Sequence, residues 1–142
     1  MHKLYLATID NELKPVDKKV LVDGMLKHHK SSGHERKTSK HNILIKNNKG
    51  KTLGGIMLSF LWNGMRIETI WIDKSIRGQQ WGKKLIKAGE SEGIKKGCTF
   101  AYTDTFSWQA PEFYKKLGYI EYGKLEDFPK GNCLTYVRKQ LI

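Results

Sequence analysis

The sequence predicts a mixed α+β domain built on a largely antiparallel sheet. Three observations carry that prediction. Residues 41–73 hold three strand patterns joined by tight turns, two helical periodicities follow with a strand pattern between them, and the chain closes on two further strand patterns. The full order is β-α-β-β-β-α-β-α-β-β. At 142 residues the chain has the length of one domain, taken as 1–142. Its 39% hydrophobic share and 15 aromatic residues suit a packed core and exclude disorder.

The elements follow in chain order. Residues 3–9 alternate polar and apolar and run into Asp10-Asn11, the pattern of a strand. From Pro15, apolar residues at Val16, Val20, Leu21, Met25 and Leu26 recur at helical spacing, fading between His28 and Gly33. Residues 41–46 form a strand that ends in the turn Asn47-Asn48-Lys49-Gly50. Residues 52–62 form a longer strand in which Gly54-Gly55 marks a bulge or a close backbone approach. Asn63-Gly64 is a two-residue hairpin signal, and residues 65–72 are the third strand. Residues 82–96 are an amphipathic helix and 99–103 a strand. Residues 111–117 are a short helix closed by Gly118, and 119–122 and 134–137 the last strands.

Charge and composition bound the function. Lys and Arg total 26 against 14 Asp and Glu, a net +12, which points to an anionic partner. Of the basic residues 22 are Lys, and they are spread from Lys3 to Lys139 with no block of five like charges. Base-reading surfaces rely on the planar fork of Arg, so a lysine-rich nucleic-acid-binding module is the weaker alternative. His28, His29, His34 and His41 lack the i, i+4 spacing of a ligand pair, and Cys98 and Cys133 stand far apart. No metal site is expected. No apolar run reaches membrane-spanning length, the start has no signal-peptide core, and only two cysteines, far apart, suit a cytoplasmic protein.

Chemistry concentrates at Ile70-Trp71-Ile72-Asp73-Lys74-Ser75-Ile76-Arg77-Gly78-Gln79-Gln80-Trp81-Gly82-Lys83-Lys84. A strand runs into a Gly-containing loop that opens onto a helix, whose first-turn amides and dipole favour a phosphate or diphosphate. Gly78 and Gly82 let the backbone approach an anion, and Arg77, Lys83 and Lys84 add positive charge. Neither a Walker loop nor a dinucleotide fingerprint is present.

Arg77-Gly78-Gln79-Gln80-Trp81-Gly82 resembles the acyl-CoA diphosphate loop of the GNAT superfamily of N-acetyltransferases, Gln/Arg-x-x-Gly-x-Gly/Ala, with Gln80 in place of the middle glycine. Ala110-Pro111-Glu112-Phe113-Tyr114-Lys115-Lys116-Leu117-Gly118-Tyr119 is similar to the family's Ala-x-x-x-Tyr-x-x-x-Gly-Phe/Tyr, with Ser107 where an Asn is common. The resemblance covers roughly residues 41–140. It implies a GNAT-like α+β fold with helices on both faces of the sheet, and transfer of an acetyl group from acetyl-CoA to a primary amine without a covalent enzyme intermediate. Residues 78–83 would hold the diphosphate by their amides, with Arg77 beside them, while Ile70, Trp71 and Ile72 offer backbone to the pantetheine. Tyr114 would act as general acid or hydrogen-bond donor to the sulfur, and Ser107 would contact the pantetheine or cap a helix. Glu68 and Asp104 are candidate bases, Glu68 sharing a face with Arg66 and Ile70 and so open to a salt bridge instead. Asp104 could equally recognise the substrate ammonium or cap the turn before the short helix. The acceptor would be a small-molecule or peptide amine, met by residues 24–40 and 123–133, whose Lys and His content does not favour a polycation. A homodimer fits the family, and a GNAT-like domain that binds acyl-CoA without turnover is a further alternative.

Overall fold

The computed structural model describes residues 2–142, in two compact units that divide between Arg36 and Lys37. The first contains α1 (Pro15–Ser31), a 17-residue helix with Pro15 at its start and no buried side chain. It stops where the Ser31 and Ser32 hydroxyls donate to the His28 and His29 carbonyls, each at 2.7 Å. The strand expected at residues 3–9 does not form. Leu4, Tyr5, Leu6 and Ile9 are exposed, and an alternating pattern has no strand to specify without a neighbour to pair with and a core face to cover.

The second unit contains β1 (Thr38–Lys46), β2 (Thr52–Leu61), β3 (Gly64–Ile72), α2 (Trp81–Lys95), β4 (Phe100–Phe106), α3 (Pro111–Lys116), β5 (Ile120–Glu126) and β6 (Cys133–Gln140), with a 3₁₀ turn at Lys74–Ile76. Six strands make one sheet in the order β1-β2-β3-β4-β6-β5. Every pairing is antiparallel except β3 with β4. This is the mixed, mostly antiparallel α+β sheet that the sequence predicts. The last strand begins one residue before the expected 134, so Cys133 opens β6, and Cys98 lies buried just ahead of β4.

One face of the sheet carries the core, with Ile56, Leu58, Met65, Ile67, Ala101 and Val137 packed under Leu85 and Ile86 of α2. Two glycines of α2 bring that helix close. A Cβ on Gly89 would stand 3.1 Å from Leu58, and one on Gly93 would stand 2.8 Å from the Met65 sulfur. Below the helix, the buried Glu90 carboxylate accepts from Tyr119 Oη at 3.2 Å and from Lys139 Nζ at 3.0 Å, so it is paired within the core margin.

The hairpin between β2 and β3 turns one residue earlier than its Asn-Gly signal suggests. Leu61 pairs with Gly64, so the loop is Trp62-Asn63, and Trp62 takes the left-handed conformation at φ +50°. Gly64 serves a different need. A Cβ there would stand 3.0 Å from the Phe100 ring on the adjoining strand. Gly54-Gly55 marks both features it suggests: Ile45 pairs with Gly54 and Lys46 with Thr52, which leaves Leu53 extra beside it, and a Cβ on either glycine would sit 2.7 Å from a neighbouring strand's carbonyl.

Candidate functional site

The site begins with a change of register in β3. Leu58 pairs with Ile67 and Met57 with Thr69, which leaves Glu68 as an extra residue in the strand. Such a bulge bends its strand and lets the next one part from it. The β3–β4 ladder accordingly runs only from Gly64–Phe100 to Arg66–Tyr102. Where it stops, Thr103 Oγ1 donates to the Ile67 carbonyl at 2.8 Å, a side-chain link at the fork between the strands. The bulge also reverses the expected facing of Ile70. With two residues between Ile67 and Ile70 on the solvent side, Ile70 and Ile72 return to the core face and pack on it, and only Arg66 and Glu68 share the other face.

Beyond the fork β3 and β4 bound a cleft in which Glu68, Ile70, Asp104, Gln109, Phe113 and Tyr114 meet. Asp73 N–H donates to the Leu53 carbonyl at 2.7 Å. Alternation then turns the backbone groups of Trp71 toward β2 as well, and those of Ile70 and Ile72 toward the open side. The Ile72 carbonyl is taken by Arg77 Nε at 2.9 Å.

Tyr114 enters the cleft from α3, which starts at Pro111 behind Ala110, whose N–H donates to Thr105 Oγ1 at 3.3 Å. The Tyr114 side chain is 5% exposed, with its ring edge-on to Phe113 and Tyr119. Burial, and then the negative charge of Asp104, push its pKa up to about 12 against the opposing pull of a hydrogen bond with Thr103. The phenol is therefore neutral and able to donate across the whole physiological range.

Both candidate carboxylates converge on Arg66. Arg66 Nη2 donates to Asp104 Oδ2 at 3.2 Å, and Nε lies 3.2 Å from Glu68 Oε2. The second contact is charge pairing without hydrogen-bond alignment, so the buried Nε–H has no acceptor among the described residues. Glu68 Oε1 accepts from Ser59 Oγ at 2.6 Å. The salt bridge that stood as the alternative for Glu68 is thus present. Asp104 caps no turn: its carboxylate goes to Arg66.

The loop expected to hold an anion follows β3. Asp73 accepts from the Ser75 N–H and hydroxyl and is held below the usual carboxylate range by them, which sets the 3₁₀ turn. Gly78 (φ +77°) and then Gln80 (φ +68°) take left-handed conformations, and α2 starts at Trp81. Gln80 thus adopts the backbone geometry for which a glycine is suited. The amides of Gly78, Gln79, Gln80, Trp81, Gly82 and Lys83 have no acceptor among the described residues. Lys84 Nζ sits over the Trp81 ring, 4.3 Å from its centroid. Gly82 has a packing reason to lack a side chain, since a Cβ would stand 3.1 Å from the Phe113 ring of α3. Phe113 borders both the groove at this loop and the cleft at Tyr114, so the two adjoin.

Ser107 caps no helix, because Ala110 holds that position without a side-chain bond. Its hydroxyl donates to Asn132 Oδ1 at 2.9 Å and ties the β4–α3 turn to the β5–β6 loop. Sequence reasoning missed Thr103 and Thr105, both buried beneath the cleft. Their alternation with Tyr102 and Asp104 was a legible signal of a polar group on the buried face.

A model of the Acetyltransferase (GNAT) family matches residues 6–119. The chain belongs to the GNAT family. Among curated GNAT relatives, blasticidin-S acetyltransferase of Streptomyces morookaense is 30% identical over 94 residues, 66% of this chain and 69% of that protein. Among solved structures, an acetyltransferase from Bacillus cereus ATCC 14579 superposes with a TM-score of 0.85 at 31% identity, over 96% of this chain and 99% of that one. A structure from Bacillus anthracis str. Ames in complex with acetyl coenzyme A shares the fold at 21% identity and a TM-score of 0.63, over 71% of this chain and 62% of that one. No helix among the described residues is long and apolar enough to cross a membrane.

Proposed function

We propose that this GNAT protein transfers the acetyl group of acetyl-CoA directly to a primary amine of a small molecule. The observation that carries the reading is the continuity of the site: unpaired loop amides adjoin a forked-strand cleft that ends at a neutral, buried phenol. Acetyl-CoA supplies the activated acyl group. The amides of residues 78–83 and the α2 dipole bind its diphosphate. The open-side backbone of Ile70, with the Ile72 N–H, takes the pantetheine in the manner of an added strand. The Gln80 side chain is compatible with this, because the loop holds its left-handed geometry without glycine.

Tyr114 donates a hydrogen bond to the sulfur as negative charge develops there. With its pKa near 12, against roughly 8.5 for a thiol, complete proton transfer to a thiolate runs uphill. The phenol therefore works as a stabilising donor rather than by ionising. Asp104 and Glu68, bridged by Arg66, face the incoming ammonium, and one of them accepts its proton through water. The antibiotic named in a curated relative, blasticidin-S, supports a small-molecule acceptor.

Calorimetric titration with acetyl-CoA, followed by assay of coenzyme A release over a panel of amines, tests the reading. Binding with amine-dependent release is expected. Binding without release from any amine supports the non-catalytic alternative, which the commitment of both carboxylates to Arg66 favours. Absence of binding at millimolar concentration ends both.

A further inference from the structure

We infer that the acceptor amine is carried on a planar conjugated ring, and that the exposed face of Trp108 is the surface on which that ring stacks. The inference rests on the proposed acetyl transfer and specifies its acceptor.

The turn after β4 is held by two hydrogen bonds. Gln109 N–H donates to the Phe106 carbonyl at 2.9 Å, and Phe106 N–H donates back to Gln109 Oε1 at 2.7 Å. Within this turn the Trp108 indole lies parallel on the Phe106 ring, 4.7 Å between centroids and 5° between planes. Phe128, from the β5–β6 loop, leans on Phe106 at 5.7 Å. The Ser107–Asn132 bond fixes the two segments together. Trp108 is thus the outermost layer of a braced aromatic stack, yet it is 60% exposed. An indole with one face packed and the other in water is already ordered for a second planar partner, so stacking on it costs little conformational entropy.

Its position ties it to the chemistry. Phe106 and Asp104 are two residues apart on β4 and so project from one face of the sheet. That spacing puts the stack roughly 7 Å along the strand from the carboxylate that meets the ammonium. Gln109, one residue beyond Trp108, borders the cleft itself. A ring on Trp108 that carries an alkylamine on a two-carbon arm spans about that distance once a hydrogen bond is added. Stacking tolerates many ring types. A saturated amine of equal size gains nothing from a parallel π surface.

The test compares 2-phenylethylamine with 2-cyclohexylethylamine, which have the same carbon skeleton and carry the amine two carbons from the ring, by steady-state coenzyme A release. In the native protein kcat/KM for the planar amine should exceed that for the saturated one by about tenfold or more. Trp108→Ala should collapse this ratio toward one through the KM of the planar amine, with the KM of acetyl-CoA unmoved, and Trp108→Phe should recover most of it. A ratio near one in the native protein, or a ratio that survives Trp108→Ala, overturns the inference while leaving acetyl transfer intact. Bound acetyl-CoA with no release to any amine overturns acetyl transfer, and the acceptor inference falls with it.

Discussion

Tyr114 is the residue on which most depends, because its environment selects the form of the phenol. Replacing it with Phe removes the donor and keeps the ring that packs on Phe113 and Tyr119. The expected result is a fall in kcat of about 10²-fold with little change in the calorimetric affinity for acetyl-CoA; an unchanged kcat would remove Tyr114 from the reaction. The same burial has a second outcome. A group whose folded pKa lies above its unfolded value of about 10 binds more protons folded than unfolded in the interval between. Its contribution to stability is whole below pH 10 and is lost as pH rises toward 12, to the extent of roughly 2–3 kcal/mol for Tyr114. Chemical denaturation at pH 9 and 11 should show about half of this loss in the native protein and a smaller one in Tyr114→Phe. Tyr114 was legible because it stands in a recognisable run from Ala110 to Tyr119. The pairing of Glu68 and Asp104 through one arginine was not, since Arg66 and Asp104 are 38 residues apart and meet only across the fork.

At the scale of elements, the loop from Asp73 to Gln80 and the helix it opens respond to single changes in opposite directions. Gln80 stands in a left-handed conformation that a side chain opposes. Gln80→Gly should therefore stabilise the protein by about 0.5–1 kcal/mol, after allowing for the greater freedom of glycine in the unfolded chain, read as a rise in Tm. Gly82→Ala places a methyl against Phe113 and should destabilise by about 1–3 kcal/mol, weakening acetyl-CoA binding with it. The element order from residue 38 onward was readable from periodicity and turn residues. What periodicity missed were the single-residue departures: the early turn at Trp62-Asn63 and the extra residue at Glu68. Both are settled by pairing with a neighbouring strand, where Gly64 must pass Phe100 and Leu58 must meet Ile67. The alternating run at residues 3–9 failed for the converse reason, having pattern but no neighbour.

Across the whole molecule, every member of the hydrophobic core comes from residues 43–141. A chain reduced to residues 37–142 should accordingly unfold cooperatively in urea, with an m-value of about 1–3 kcal/mol/M, and keep its affinity for acetyl-CoA; loss of the cooperative transition would place residues 1–36 within the folding unit. The charge of +12 is distributed in the same spirit. Lys19, Lys95, Lys115, Lys124 and Lys139 pair with nearby carboxylates, and the amides of the loop are the proposed local site for an anion. The inserted residue at Glu68 finally says something about length. Take out that one amino acid and the strand alternates without interruption: Ile70 and Ile72 keep their side, the bend is gone, the parallel ladder is free to zip past Arg66, and the gap between β3 and β4 closes into ordinary sheet. A single-codon deletion at this point would leave a protein of nearly identical composition with no doorway.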